Sequence, residues 1–402
     1  MSKAYDRVEW KFLKAVLVRI GIHERFVRLI MSLVTSVSYS LLLNGSQFGY
    51  FMPQRGIRQG DPLSPYLFLF VAEVFSCMLQ EAQRRGDING IAVSRGGPSV
   101  SYLLFADDTI IYGQASAATM TAIKQILTSY ERVSGQAINF DKSSMVVGRN
   151  VGEQQRQHMA DILGVTLVIK HDTYLGLPAI AGRYRGQLFQ TIKDRVWGRI
   201  QGWNAKLLSQ AGPGVLIKAV LQAIPTYAMS CFRLLDYLLR EIKSMIADFW
   251  WHNRGDRRTH CVSWGKLCQS KENGGLGFRE MLAFNRAMLA KQGWRLVTRP
   301  DTFLSRIMKA KYFPTSSFFR ARMGSRPSLT WRSILGVRDL VARGAVGRLD
   351  QEQGCESGGI SGCHDQMDSE FSLHLEFFQQ TRELLLLLME MRAAGERVWC
   401  GR

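Results

Sequence analysis

Leu104-Phe105-Ala106-Asp107-Asp108-Thr109-Ile110-Ile111 sets two adjacent carboxylates between apolar, β-prone runs. Val100–Phe105 and Thr109–Tyr112 read as two short strands, with Ala106-Asp107-Asp108 at the turn between them. Ionised carboxylates beside a core are costly unless they are paired or bound to metal. A hard divalent cation answers that cost, because Mg2+ prefers carboxylate and phosphate oxygens. Neighbouring side chains on a tight turn need not point the same way, so one aspartate is expected to bind metal more directly than the other. A water-exposed Asp-Asp turn has the same local sequence, and the surrounding chain has to decide between the two.

Upstream of this turn, Val8, Phe12, Leu13, Val16, Leu17 and Ile20 recur at helical spacing and end at Gly21, which predicts an amphipathic helix. A second helix is expected over Arg25–Thr35. Val37–Leu43 and Phe48–Phe51 flank Asn44-Gly45-Ser46, a hairpin signal. The Gly-rich stretch Gly56–Pro65 leads into an apolar helix, Tyr66–Arg84. Downstream, a helix over Ala117–Ser134 closes at Gly135. From about residue 170 the pattern turns helical and basic, with helices expected at Arg183–Trp203, Val215–Leu235 (kinked at Pro225), Arg240–His252 and Phe284–Thr298. A mixed α/β domain thus gives way to a helical one.

Among the 402 residues, 52 Lys and Arg stand against 33 Asp and Glu, a net charge of +19 that favours a polyanionic partner. The excess lies in residues 1–345, at +24, while the remainder carries −5. The seven cysteines are odd in number and scattered, which suits free thiols in a reducing compartment. Met1 leads straight into a charged amphipathic run unlike a signal peptide. No apolar run reaches the roughly 18 residues of a spanning helix, so Tyr66–Phe75 and Leu384–Met389 read as core segments.

The segment Gly56-Ile57-Arg58-Gln59-Gly60-Asp61-Pro62-Leu63-Ser64-Pro65 strengthens the metal reading of the acidic turn. Its glycines allow close backbone approach, Arg58 and Gln59 offer donors, and its prolines stiffen the entry to a helix whose N-terminal dipole favours phosphate. Such a loop suits a nucleic-acid strand beside a reaction centre. Five segments then occur in one order: Met1-Ser2-Lys3-Ala4-Tyr5-Asp6-Arg7-Val8-Glu9-Trp10, Gly56–Pro65, Phe105-Ala106-Asp107-Asp108, Ser134-Gly135-Gln136-Ala137-Ile138-Asn139 with Lys142-Ser143, and Tyr174-Leu175-Gly176-Leu177-Pro178. This order resembles the polymerase motifs of reverse transcriptases from plant non-LTR, LINE-type retrotransposons. The resemblance runs on through Gly202-Trp203, Gly212-Pro213-Gly214, Gly274–Phe278, Ala310–Pro314 and Gly324–Ser328, to about residue 345.

The resemblance implies an α/β polymerase palm, incomplete here, followed by a helical thumb and post-thumb region. It implies RNA-directed DNA synthesis with two Mg2+ ions, an RNA template, a DNA primer and a dNTP. Asp107 and Asp108 match the family's metal-binding pair, with Phe105 and Ala106 in the same motif beside nucleotide and template. Tyr5 matches the aromatic gate that excludes a 2′-hydroxyl. Arg58, Gln59 and Gly60 match the loop that contacts template and nucleotide, and Lys142 lies in the motif that helps protonate the leaving pyrophosphate. Tyr174, Leu175 and Gly176 resemble the primer grip. The family's first metal-binding aspartate would stand five residues before Tyr5, immediately before Met1. Little or no polymerisation by these residues alone is therefore expected, and a non-catalytic nucleic-acid-binding remnant is the alternative. Asp6 is expected to start the following helix as a dipole-complementing charge rather than to replace that aspartate.

The expected organisation is a partial palm over 1–165, primer grip and thumb over 166–240, and a helical post-thumb region over 241–345. Residues 346–402 form a glycine-rich, acidic tail of different character, which would suit a frame change. Arg185, Lys193, Arg195, Arg199, Lys206 and Lys218 interleave with Trp197, Trp203 and Tyr227, a pattern that suits a primer-template cradle. His252, His260, Cys261 and Cys268 fit no standard zinc spacing and are expected to be structural, buried side chains; Cys355, Cys363 and His364 do not read as a zinc set either. Neither a membrane partner nor a small-molecule cofactor is expected. The location implied is intracellular, and nuclear by the resemblance.

Overall fold

The computed structural model describes residues 1–344 except 2, 95, 149, 170–172, 175–176, 179–184, 204–207, 210, 253–260 and 326. Among these residues the chain forms two compact units, one of residues 1–92 with 99–170, the other of 93–98 with the chain from 171.

In the first unit, α1 (Trp10–Arg19) buries Leu13, Val16 and Leu17, one stripe at i, i+3 and i+4. Its N-cap is Glu9; Asp6 lies earlier, in a 3₁₀ turn over Tyr5–Arg7, so it does not open the helix as expected. Helix α2 (Glu24–Thr35) is capped by His23, whose Nδ1 accepts from the Arg25 amide at 3.3 Å. Strands β1 (Tyr39–Leu43) and β2 (Ser46–Phe51) pair antiparallel about Asn44-Gly45. Both turn residues have positive φ, +49° and +84°, as the two-residue hairpin turn that matches strand twist requires.

Helix α3 (Ser64–Arg85) has Pro65 in its first turn and ends at Gly86 in the left-handed region. It is long and apolar enough to cross a membrane by length and composition. Its apolar residues Leu67, Val71, Phe75 and Leu79 nevertheless lie in the core of the first unit. Beyond it come the short pair β3 (Ile91–Ala92) and β4 (Ser99–Val100), then β5 (Tyr102–Phe105) and β6 (Asp108–Ile111). Helix α4 (Ala117–Ser134) starts at Ser116, whose Oγ accepts from the Thr119 amide, and stops at left-handed Gly135. Its Tyr130 packs on Phe75 at 4.8 Å between ring centroids and donates to the Val71 carbonyl at 3.2 Å. Burial pushes that phenol well above its ordinary pKa. The unit closes with β7 (Ser144–Met145), α5 (Glu153–Leu163) and β8 (Thr166–Leu167), in which β7 and β8 run parallel across the helix. All sheets among the described residues are two-stranded.

The second unit holds two more short strands, β9 (Thr173–Tyr174) and β10 (Leu177–Pro178), and is otherwise helical. Helix α6 spans Arg185–Gln201. The helix expected over Val215–Leu235 is broken rather than kinked: α7 (Gly212–Leu216) runs into a π-helical turn over Ile217–Leu221, and α8 (Thr226–Cys231) restarts after Pro225. Proline lacks the N–H that would continue the ladder. Helices α9 (Asp236–His252), α10 (Trp264–Leu267), α11 (Met281–Thr298), α12 (Phe303–Tyr312) and α13 (Leu329–Leu335) complete it. Buried Asn285 of α11 ties the unit together, donating to the Met229 and Phe232 carbonyls at 2.8 and 2.9 Å and accepting from the Leu234 amide at 2.9 Å. Residues 345–402, including the expected tail and its Leu384–Met389 segment, lie outside the described residues.

Candidate active site

Residues 4–10 are held on both sides by backbone contacts. On one side the Gly56 amide donates to Val8 O and the Ile57 amide to Tyr5 O, each at 2.8 Å, while Trp10 Nε1 donates to Gly56 O at 2.7 Å. On the other side the Glu9 amide donates to Ser134 O at 3.0 Å, and Gln136 Nε2 donates to Ala4 O at 2.8 Å. Both flanking turns need glycine. A Cβ on Gly56 would stand 2.9 Å from Asp6 O, one on Gly135 2.5 Å from Arg7 O, and both residues have positive φ. The start of the chain, the Gly56–Pro65 loop and the Ser134–Asn139 segment, far apart in sequence, thus meet around one short stretch.

Tyr5 is half-buried, its ring stacked on Phe68 of α3 at 5.2 Å and 13°. Its phenol is raised above the ordinary tyrosine pKa, first by burial and then by the charge of Asp107. Tyr5 therefore lies within electrostatic reach of the acidic turn. The amino group of Met1 donates to the Asp107 carbonyl oxygen at 2.7 Å. Burial lowers its pKa, against the opposing pull of Asp107 and Asp108.

The acidic turn itself is the tip of the β5–β6 hairpin, where Phe105 pairs with Asp108 and Ala106-Asp107 form the two-residue connection. Ala106 has φ +49°. Asp107 is exposed and Asp108 half-buried. Helix α3 anchors the base of this hairpin. Ser76 Oγ and Gln80 Nε2 bond to the Tyr102 hydroxyl at 2.7 and 2.8 Å, and Ser101 Oγ donates to Gln83 Oε1 at 2.6 Å. One helix therefore positions both Tyr5, through Phe68, and the acidic hairpin.

In the loop, Arg58, Gln59 and Gly60 are all exposed, and Gly60 has φ +87°. The Asp61 carboxylate accepts from the Leu63 amide at 2.8 Å and so fixes the entry to α3. The loop forms one wall of a cleft of about 560 Å³ inside the first unit, lined also by the end of α2 and by the β1–β2 hairpin.

Lys142 is exposed on a 3₁₀ turn over Phe140–Lys142, its amide held by Asn139 Oδ1 at 3.1 Å. Tyr174 belongs to the β9–β10 pair, whereas Leu175 and Gly176 lie outside the described residues. Of the expected cradle, Arg195, Trp197 and Arg199 are exposed on α6. Other members are engaged within the unit: Lys193 pairs with Glu241 at 2.9 Å, Lys218 lies over the Phe278 ring at 5.9 Å, and Trp203 packs on Phe249. Lys206 lies outside the described residues. Among the described residues, Cys77, Cys231, Cys261 and Cys268 form no disulfide. Cys261 is exposed, contrary to the burial expected of it, while Cys268 is half-buried and its thiol is pushed up to about 11, chiefly by burial. His260 lies outside the described residues.

Among the described residues, no three or more His, Cys, Asp or Glu side chains gather as a metal cage. Mg2+ needs no such cage, since one or two carboxylates with waters and substrate phosphates complete its octahedron. The adjacent carboxylates of Asp107 and Asp108 fit that donor set. Sequence reasoning assigned no role to Trp10, Gln136 or Phe68. The first two sit inside the quoted motifs, and the tight glycines beside them were the available signal.

Residues 1–167 match the family described as reverse transcriptase (RNA-dependent DNA polymerase), and that match ends within three residues of the boundary at 170. An uncharacterized mitochondrial protein of Arabidopsis thaliana is 48% identical over 126 residues, which cover 31% of this chain and 82% of that protein. A retrovirus-related Pol polyprotein from type-1 retrotransposable element R2 of Popillia japonica is 30% identical over 144 residues, 36% of this chain and 19% of the polyprotein. The uncharacterized 149 kDa protein of transposon TX1 from Xenopus laevis is 26% identical over 280 residues, 69% of this chain and 20% of its own length. The chain thus spans about a fifth of the two transposon proteins. With four of the five ordered motifs in the first unit and residues 1–167 matched to that family, the chain belongs to the reverse transcriptases of plant non-LTR, LINE-type retrotransposons.

Proposed function

We propose that the first unit is part of a polymerase palm that handles nucleotide and template in RNA-directed DNA synthesis, taking a dNTP, a DNA primer and an RNA template. The observation that carries this reading is the clamp on residues 4–10. It brings Tyr5, the Arg58-Gln59-Gly60 loop and the Ser134–Asn139 segment together, with Asp107 close enough to shift the Tyr5 phenol.

Each residue then has a defined task. Tyr5, braced flat on Phe68, presents a rigid wall on which a ribose 2′-hydroxyl would collide. Arg58 and Gln59 hold phosphate oxygens and base edges, and Gly60 lets the strand approach the backbone. Asp107 and Asp108 would hold Mg2+, which would supply charge to neutralise the triphosphate and to lower the pKa of the primer hydroxyl. Lys142 supplies an exposed ammonium for the leaving pyrophosphate, and Tyr174, Leu175 and Gly176 grip the primer. A second reading, nucleic-acid binding without synthesis, is favoured by one observation: Arg195, Trp197 and Arg199 stand exposed on α6, cations beside an aromatic ring.

The test is single-nucleotide addition to a DNA primer on an RNA template with Mg2+, comparing dNTP with rNTP. The chain is assayed as it stands and with the relatives' upstream sequence joined to it. Tyr5→Ala is expected to narrow the preference for dNTP by about tenfold or more, the scale of one lost steric contact. Addition in neither form, with RNA still bound, would leave the binding reading in its place.

A further inference from the structure

The cleft beside the Gly56–Pro65 loop contains a feature the polymerase reading does not use. Tyr39 and Phe51, cross-strand partners at the open end of the β1–β2 hairpin, stack at 5.6 Å and 24°, and both line the cleft. They remain 39% and 52% exposed, so ring surface is left open to solvent. Behind them the wall is apolar, made by Leu33, Val34, Val37 and Pro53. Arg55 and Arg58 stand at the same cleft. Arg58 enters no ion pair among the described residues, and Arg55 has only a 3.7 Å approach to Glu9, with both side chains largely in solvent.

Charge points to the occupant. The charged groups lining the cleft are Arg55 and Arg58 with Asp6 and Asp61, in a chain whose net charge is +19. Open aromatic faces beside cations are the means by which proteins hold single-stranded nucleic acid, with a base stacked on the ring and its phosphates on the arginines. The cleft, at about 560 Å³, has room for a nucleotide. Asp6 and Asp61, which also line it, offer acceptors to the amino groups of a base. A cross-strand aromatic pair also steadies a hairpin, which alone would explain the stack but neither its exposure nor the arginines beside it.

We propose that Tyr39 and Phe51 form a stacking platform for an unpaired base of single-stranded RNA, with Arg55 and Arg58 on the flanking phosphates. This rests on the reading of the first unit as a template-handling site, and it adds the Tyr39–Phe51 pair, which lies outside the polymerase motifs.

The experiment uses the full chain and a fluorescein-labelled single-stranded RNA of roughly 12 nucleotides, within the site sizes of such grooves. Binding is followed by anisotropy, and 4-thiouridine photo-crosslinks are mapped by mass spectrometry. Tyr39→Leu and Phe51→Leu keep an apolar cross-strand contact but remove a ring; each is expected to weaken binding about tenfold, as loss of one base–aromatic stack does. Tyr39→Phe, which keeps the ring, should bind as the parent does, and crosslinks should fall on Tyr39, Phe51 or their neighbours. Circular-dichroism melts of the leucine variants check that the hairpin survives. Parent-like binding by both leucine variants, with crosslinks elsewhere, overturns the platform and leaves the polymerase reading standing. Dimers that dissolve on Tyr39→Leu, with RNA binding unchanged, would assign the face to a second copy instead. No RNA binding by the parent chain overturns the underlying reading, and the platform with it.

Discussion

Ala106 sits at the first position of the β5–β6 turn with φ +49°, and Asp107 after it does not share that sign. This is the φ pattern of a turn that normally takes glycine first. A Cβ in the left-handed region costs about 1–2 kcal/mol, and strain of this kind collects at functional sites. Ala106→Val, which adds a branch at that Cβ, should lower the unfolding free energy by about 2 kcal/mol, whereas Ala106→Gly should leave it within about 1 kcal/mol of the parent. Thermal melts of the two variants check the pair; equal midpoints would show that the turn carries no strain. The acidic pair was legible in the sequence because two charges between apolar runs demand a partner. The ring that braces Tyr5 was not, since Phe68 lies 63 positions away within an ordinary apolar helix and only tertiary packing selects it.

Helix α3 acts as the ruler of the first unit: its first turns brace Tyr5, and its later turns fix the acidic hairpin through Ser76, Gln80 and Gln83. The clamp opposite depends on close backbone approach. Gly135→Ala would place a Cβ 2.5 Å from Arg7 O and is expected to destabilise by about 2 kcal/mol or more, while amide exchange at Glu9 quickens. Gly164→Ala is the control, at φ +73° with nothing within 4 Å, and should cost only about 1 kcal/mol. Equal effects on stability and on exchange at Glu9 would refute the clamp. At this scale most of the first unit could be read in advance. Asn44-Gly45 specified its turn, and α4 spans Ala117–Ser134 and closes at Gly135 as expected. Helix α5 was missed because Glu153–Leu163 is polar, with only Met159, Ala160 and Leu163 buried. The break at Ile217–Leu221 gave no local signal before Pro225, since Ile217-Lys218-Ala219-Val220-Leu221 contains neither Gly nor Pro.

Over the whole molecule, the net charge of +19 and the five ordered motifs point to the same class of partner, a nucleic-acid strand. The ordered motifs were legible because polymerase chemistry fixes residue type and sequence order. The clamp and the cleft were not, because both are made of main-chain contacts and exposed side chains that leave no periodic trace. The central claim is that Tyr5, the Arg58 loop and Asp107-Asp108 serve one reaction centre. The most direct test is RNA-templated addition of a dNTP to a DNA primer, measured against Mg2+ concentration. It is run for the 402-residue chain and for the same chain with its relatives' upstream sequence, each with and without Asp107→Asn. Addition that requires Mg2+ and falls roughly 100-fold or more in the asparagine variant, while the variant still binds RNA, is the predicted result. Addition that Asp107→Asn leaves unchanged would contradict it.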